Sequence, residues 1–322
     1  MIFRSNTMDI LKLQPVFKDY IWGGTRLRDE YGFESPLEKL AEGWMLSCHK
    51  DGENTVLNGG YKGKTLSEVI KDNPEFLGEN GKKFEYFPIL IKLIDAKNDL
   101  SVQVHPDNEY ALRVEKEYGK TECWYILDCD EGAELIYGFN KQISSEEFKK
   151  KIADNTFLDT VNKVKVKNGD LFFIEAGTLH AIGKGILLPE IQQNSNTTYR
   201  VYDYGRLGAD GKPRELHIDK AIDVTKCAPP QRGTEPEGKL KIFDGYSEQL
   251  LTKCKLFSVE KLCVSRDYIG SADDKSFVSL LVTEGNGQID GTDIKKGDSL
   301  FVPANYGKYK ITGDIEIIVT RV

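Results

Sequence analysis

The chain holds four histidines, His49, His105, His180 and His217, and two of them stand where chemistry is within reach. In Ser101-Val-Gln-Val-His105 polar residues alternate with valines. Side chains at i and i+2 of a strand share a face, so Gln103 and His105 project together while Val102 and Val104 pack on the other side. Lys120 and Glu122, in Gly119-Lys-Thr-Glu-Cys-Trp124, repeat that spacing at the entry to another strand and turn Cys123 away. His180 sits just past the turn Glu175-Ala-Gly177. Two imidazoles, a carboxylate and an amide carbonyl form a donor set for zinc or another borderline divalent ion with an open position. Each residue alone has a plainer reading. A single histidine on an alternating strand is more often a buried imidazole, and lone Glu and Gln are usually solvated. Spacing by itself leaves the two readings about even. His49 and His217 lack such neighbours and read as structural or exposed.

The elements that must position these groups are mostly strands. Short β-like runs (87–94, 101–105, 123–127, 133–137 and 170–174) are separated by Gly, Asn and Asp turns, the texture of a sandwich or barrel. Helices are few: Ser144–Ile152 opens with a capping Ser, and 65–70 and 108–118 are weaker candidates. Asn58-Gly-Gly60 and Gly285-Asn-Gly287 read as hairpin turns rather than phosphate loops, since no helix start follows either. An internal echo organises the whole. Val166-Lys-Asn-Gly-Asp-Leu-Phe-Phe-Ile174 lies against Ile294-Lys-Lys-Gly-Asp-Ser-Leu-Phe-Val302, each followed by a second turn, after which His180 stands in one copy and Lys308 in the other. The expected fold is mainly β, two β-barrel (jelly-roll) units with a few short helices. The Pro- and Gly-rich stretch 227–238 places the boundary, with a metal-binding unit over 1–228 and a degenerate unit without metal over 229–322.

Composition narrows the partners. With 44 Lys plus Arg against 51 Asp plus Glu, the formal charge is −7, which disfavours nucleic acid, whose phosphates need a concentrated basic surface. Two or three placed cations would still hold a small anion. No apolar run is long enough to cross a bilayer; the best, Phe87–Ile94, is short and carries Lys92. The six scattered cysteines suggest reduced thiols, and a cytoplasmic location and a monomer or weak homo-oligomer are expected.

Three segments together, Ser101-Val-Gln-Val-His-Pro-Asp107, Gly119-Lys-Thr-Glu-Cys-Trp124 and Glu190-Ile-Gln-Gln-Asn-Ser-Asn-Thr-Thr-Tyr-Arg200, resemble the type I mannose-6-phosphate isomerase family in its short bacterial form. Gly169, Glu175-Ala-Gly177 and His180 resemble the second half of the cupin motif, and the likeness runs from Trp22-Gly-Gly24 and Glu42-Gly-Trp44 to the C-terminal half. The resemblance implies one zinc ion per chain on Gln103, His105, Glu122 and His180, and a small phosphosugar substrate interconverted between mannose 6-phosphate and fructose 6-phosphate. Arg200 falls on the family's catalytic arginine, and Lys120 and Glu190 fall on active-site positions. Where the family carries Ser-Asp before that arginine, this chain has Ser195-Asn196. A cis-enediol route needs a base and an electrophile. Glu190 is the first choice for base and Lys120 its rival, or an acid at the oxygens, while Arg200 would stabilise the enediolate. Ser101, Lys120 and Arg200 are expected to bind substrate, with Arg206 a further candidate for the phosphate. Competing readings are a metal cupin of another kind, such as a dioxygenase, and a sugar-sensing cupin without turnover.

Overall fold

Alternation decides which way each strand faces, and the result is a mainly β chain built from sheets that pack face to face. The structure is a computed structural model and describes residues 8–208 and 210–322. It divides into two compact units. One comprises Phe17–Gly43 and Leu90–Glu235; the other comprises Trp44–Ile89 and Pro236–Val322 with the described residues up to Val16.

In the first unit a five-stranded sheet runs in the order β6-β5-β8-β3-β10, where β3 is Val102–Val104, β5 Glu134–Phe139, β6 Val161–Lys165, β8 His180–Ala181 and β10 Tyr199–Tyr202. A second sheet runs β7-β4-β9-β2-β1, with β1 Glu42–Leu46, β2 Ile89–Ala96, β4 Glu122–Tyr125, β7 Leu171–Ile174 and β9 Ile186–Gln193. The two sheets are separate ladders, so they form the walls of a jelly roll and not a closed barrel. Val102 and Val104 pack outward with Phe148 and Ala221, residues of the helices Ser145–Ala153 and Ile218–Val224. That burial sends Gln103 and His105 to the inner face. Trp124, Phe172, Ile174 and Leu188 join a second apolar cluster. Three helices follow from local capping: Ser144 accepts from Glu147 N (3.0 Å), Thr65 and Glu68 form a capping box on Leu66–Asp72, and Asp107 caps Asn108–Val114. No helix among the described residues is long and apolar enough to cross a membrane.

The internal echo is an echo of backbone geometry. Gly169 and Gly297 sit at φ +89° and +90°, a region only glycine enters freely. In each turn the following aspartate accepts a hydrogen bond from a backbone N–H three residues back, Lys167 N to Asp170 (3.0 Å) and Lys295 N to Asp298 (2.9 Å). A buried strand follows each, Leu171–Ile174 and Ser299–Val302. Eight residues beyond the glycine the chain is again left-handed, at Gly177 and Asn305. Three residues later His180 is fully buried, whereas Lys308 is exposed. The second unit encloses an apolar core of Val278, Leu280, Leu300, Ile317 and their neighbours.

One expected turn is corrected. Gly285-Asn-Gly287 lies inside the long strand Val278–Ile289, and the reversal comes at Asp290-Gly291, both at positive φ. The glycines serve close approach of strands: a Cβ would stand 2.1 Å from Asp314 O at Gly285 and 2.1 Å from Thr312 O at Gly287. Asn58-Gly-Gly60 does lie in a reversal, a loop closed by Val56 N to Lys64 O (2.9 Å) and Gly63 N to Val56 O (2.8 Å).

Candidate active site and metal centre

Register across the five-stranded sheet sets three groups in a row. His180 on β8 stands opposite Gln103 on β3, and Gln103 stands opposite Arg200 on β10. On the other wall Glu122 of β4 pairs with Gln192 of β9, and Trp124 pairs with Glu190. Lys92 of β2 and Glu42 of β1 extend that wall.

The two walls bring His105, Glu122 and His180 together, with one ligand atom of each within 4.8 Å of the others. All three side chains are buried. His105 Nδ1 lies 2.9 Å from Thr197 O, and His180 Nδ1 lies 2.8 Å from Thr178 O. A carbonyl only accepts, so each Nδ1 must carry the hydrogen and each neutral Nε2 must carry a lone pair. The two Nε2 atoms face each other at 3.1 Å, with Glu122 oxygens at 3.8 Å and 3.5 Å. Glu122 Oε2 is paired with the Lys120 ammonium (2.9 Å), whereas Oε1 accepts no hydrogen bond. Two imidazole lone pairs and the unpartnered Glu122 Oε1 converge there, a donor set that a divalent cation would satisfy. Burial, then Lys120, then the second histidine hold His105 well below the usual imidazole value, and burial brings His180 to about 4, so both are neutral ligands at pH 7. Gln103 Nε2 is 3.4 Å from His180 Nε2, and its amide oxygen is the fourth donor when the group is turned. This set fits a tetrahedral or slightly larger divalent site.

A line of alternating charge leads away from the centre. Lys120 Nζ is 2.9 Å from Glu122, 3.3 Å from His105 Nε2 and 3.6 Å from Glu190. Lys92 Nζ lies 3.2 Å from Glu190 and 3.4 Å from Glu42. Glu190 also accepts from Trp124 Nε1 (3.0 Å), while its Oε1 accepts no hydrogen bond. Burial alone would raise both carboxyls. Lys120 and Lys92 outweigh it at Glu190, which is held ionised, whereas burial and the neighbouring Glu190 push Glu122 up. Lys92 is the one charge in an apolar run, and that is the signal by which sequence could have found it.

Glu42, Lys92, Gln103, Lys120 and Glu190 line a cavity of about 250 Å³ that also reaches Ser101, Asn196, Arg200 and Arg214, with Tyr20 and Trp22 along its wall. Arg200 donates through Nη1 to Glu215 O (2.8 Å), and its Nε is buried without a partner. Its backbone is tied in both directions to His217, by Arg200 N to Nδ1 (3.2 Å) and by His217 N to Arg200 O (2.8 Å). His217 is thus a structural histidine, one of the two roles read for it from sequence, and its ring nitrogen accepts from the backbone of Arg200. Arg206 is not on the cavity wall. It is held by Asp203 and by Asp99 O, and Arg214 lines the cavity in its place. Asp203 grips Arg214 in a two-point fork, Nε at 2.7 Å and Nη2 at 2.6 Å. No spacing rule links positions 203 and 214. His49 is buried against Trp44, its ring centroid 5.8 Å away.

Comparison with known proteins adds an independent finding. A family model described as phosphomannose isomerase type I, catalytic domain, matches residues 10–151, and one described as mannose-6-phosphate isomerase, cupin domain, matches residues 247–322. The mannose-6-phosphate isomerase ManA of Bacillus subtilis is 43% identical over 98% of this chain and 99% of its own. The mannose-6-phosphate isomerase of Streptococcus mutans is 41% identical over 97% and 98%. A crystal structure of the mannose 6-phosphate isomerase from Bacillus subtilis superposes with a TM-score of 0.90 at 40% identity, covering 98% of this chain and all of that one.

Proposed function

Because the chain belongs to the type I mannose-6-phosphate isomerase family, we propose that it interconverts mannose 6-phosphate and fructose 6-phosphate, with one zinc ion held by His105, Glu122, His180 and Gln103. The observation that carries the metal is the pair of Nε2 lone pairs 3.1 Å apart beside Glu122 Oε1, which accepts no hydrogen bond. Zinc bound there supplies Lewis acidity that lowers the cost of negative charge on the sugar's O1 and O2.

The chain's own residues account for the protons. Isomerisation moves the C2 proton of mannose 6-phosphate to C1 and the O2 proton to O1, through a cis-enediol. Glu190 Oε1, held ionised between Lys92 and Lys120, takes the proton from C2 and returns it to C1. Lys120, within 3.6 Å of that carboxylate, exchanges the proton at the oxygens. The lysines that keep Glu190 ionised also weaken it as a base, so the acidity of C2–H must rise on binding. Arg200, lining the same cavity, stabilises the enediolate as it forms. Ser101 and Arg200 bind substrate, and the Arg214 end suits the phosphate dianion. Asn196 lines the cavity but carries no titratable group, so proton transfer is assigned to Glu190 and Lys120.

The test is turnover after chelation and reloading. Purified protein stripped of metal should form no fructose 6-phosphate from mannose 6-phosphate, and zinc should restore formation. Absence of turnover at every zinc level would overturn the reading.

A further inference from the structure

Gln192 takes no part in the chemistry above, yet it is fully buried and stands in register beside Glu122. Two residues from Glu190 on the same strand, it shares that residue's face. Its Nε2 donates to two backbone carbonyls of the next turn, Gln193 O at 2.9 Å and Ser195 O at 2.6 Å. Only an amide nitrogen can serve two acceptors, so these contacts fix the orientation of the group. Its Oε1 is buried and accepts nothing. Leaving a buried acceptor unsatisfied is costly, which marks the two donated bonds as the reason for an amide here. The stapled turn is tight: Ser195 N donates to Gln193 O (2.8 Å) and Thr197 N to Ser195 Oγ (3.2 Å). Two residues past Ser195, the Thr197 carbonyl is the partner of His105 Nδ1 at 2.9 Å.

We propose that Gln192 is a positioning residue for the metal centre: by stapling the 193–195 turn it holds the Thr197 carbonyl that fixes the tautomer and ring plane of His105. Partners behind a metal-bound imidazole set its orientation and basicity. A carbonyl cannot be mutated, so the side chain that places it is the accessible handle. The inference rests on the reading of His105, Glu122 and His180 as a zinc site.

The test compares wild type with Gln192→Met and Gln192→Glu, both similar in size to glutamine and neither able to donate two hydrogen bonds. Zinc affinity is read by competition with a chromophoric chelator, and geometry by the visible absorption of the cobalt(II)-loaded protein. Both variants should lose about 10- to 100-fold in zinc affinity and show shifted, weakened cobalt bands. Glu117→Gln is the control, because Glu117 meets the same loop only as an acceptor, from Asn196 N (3.4 Å) and Thr197 Oγ1 (3.3 Å), and an amide oxygen can still accept both. It should leave both readouts as in wild type. If either folded Gln192 variant keeps wild-type affinity and cobalt bands and loses only thermal stability, the residue is merely structural and the inference fails. If wild type itself binds no zinc, the metal reading fails with it.

Discussion

Arg200 and Asp203 separate two tasks that a single residue's removal would otherwise confuse. Arg200 is on the cavity wall but contacts none of the three clustered ligands in the structure, so Arg200→Ala should retain zinc while kcat falls by about 10²- to 10³-fold, the usual loss when one charge-stabilising donor is removed. Metal content and turnover measured on the same preparation check this. Asp203 is buried and held below the ordinary carboxylate range, because Arg214 and Arg206 outweigh its burial. Asp203→Asn leaves Arg214 without its fork. The expected outcome is a KM for mannose 6-phosphate raised roughly tenfold, about 1.4 kcal/mol of binding, with kcat and zinc affinity little changed. A fall in kcat at constant KM would assign Arg214 to the chemistry and not to binding.

At the scale of elements, strand register does most of the assembly. Residues His180, Gln103 and Arg200, far apart in sequence, form one row because β8, β3 and β10 are neighbours. The alternation at 101–105 was legible, since period-2 patterning is local; which strands become neighbours was not, since pairing is settled by long-range packing. His217, at the N-terminal end of the helix Ile218–Val224, shows a second device. Burial first, with Arg200 and Lys220 against the pull of Glu215, sets its pKa below the ordinary histidine value. The unfolded chain therefore takes up the proton first. The stability from neutral His217 is full above about pH 6.5 and is lost as pH falls toward the depressed folded value. The stability difference between wild type and His217→Ala, read by urea unfolding, should accordingly shrink between about pH 7 and pH 5. A gap that widens on acidification would show that the ring is bound as its cation.

For the whole molecule, the acidic balance of −7 makes local charge decisive. Along the cavity wall Lys92, Lys120, Arg200 and Arg214 face Glu42 and Glu190, a balance of 4 − 2 = +2. A phosphosugar then meets a cationic cavity on an anionic protein. If the proposed ion binds the folded chain and not the unfolded one, its removal should lower thermal stability. At a free zinc concentration a hundredfold above Kd the linked stabilisation is about 2.7 kcal/mol, and chelation should lower Tm by roughly 5 °C or more. Calorimetry with and without chelator checks it, and an unchanged Tm would argue against a tight site.

What the sequence determined by itself is what depends on neighbours along the chain. The i, i+2 faces at 101–105 and 120–122, the capped helices and the paired Gly-Asp turns are set by backbone period and turn chemistry. The tertiary structure decided what depends on neighbours in space: the tautomer of His105 through the distant Thr197 carbonyl, the entry of Lys92 and Glu42 into the charge line, and the replacement of Arg206 by Arg214 on the cavity wall. It also turned Gly285 and Gly287 from an expected reversal into points of close strand contact. Local geometry is encoded within a few residues. The field at a buried site is the sum over every charge and dipole that folding brings within a few ångströms, and no spacing along the chain contains that sum.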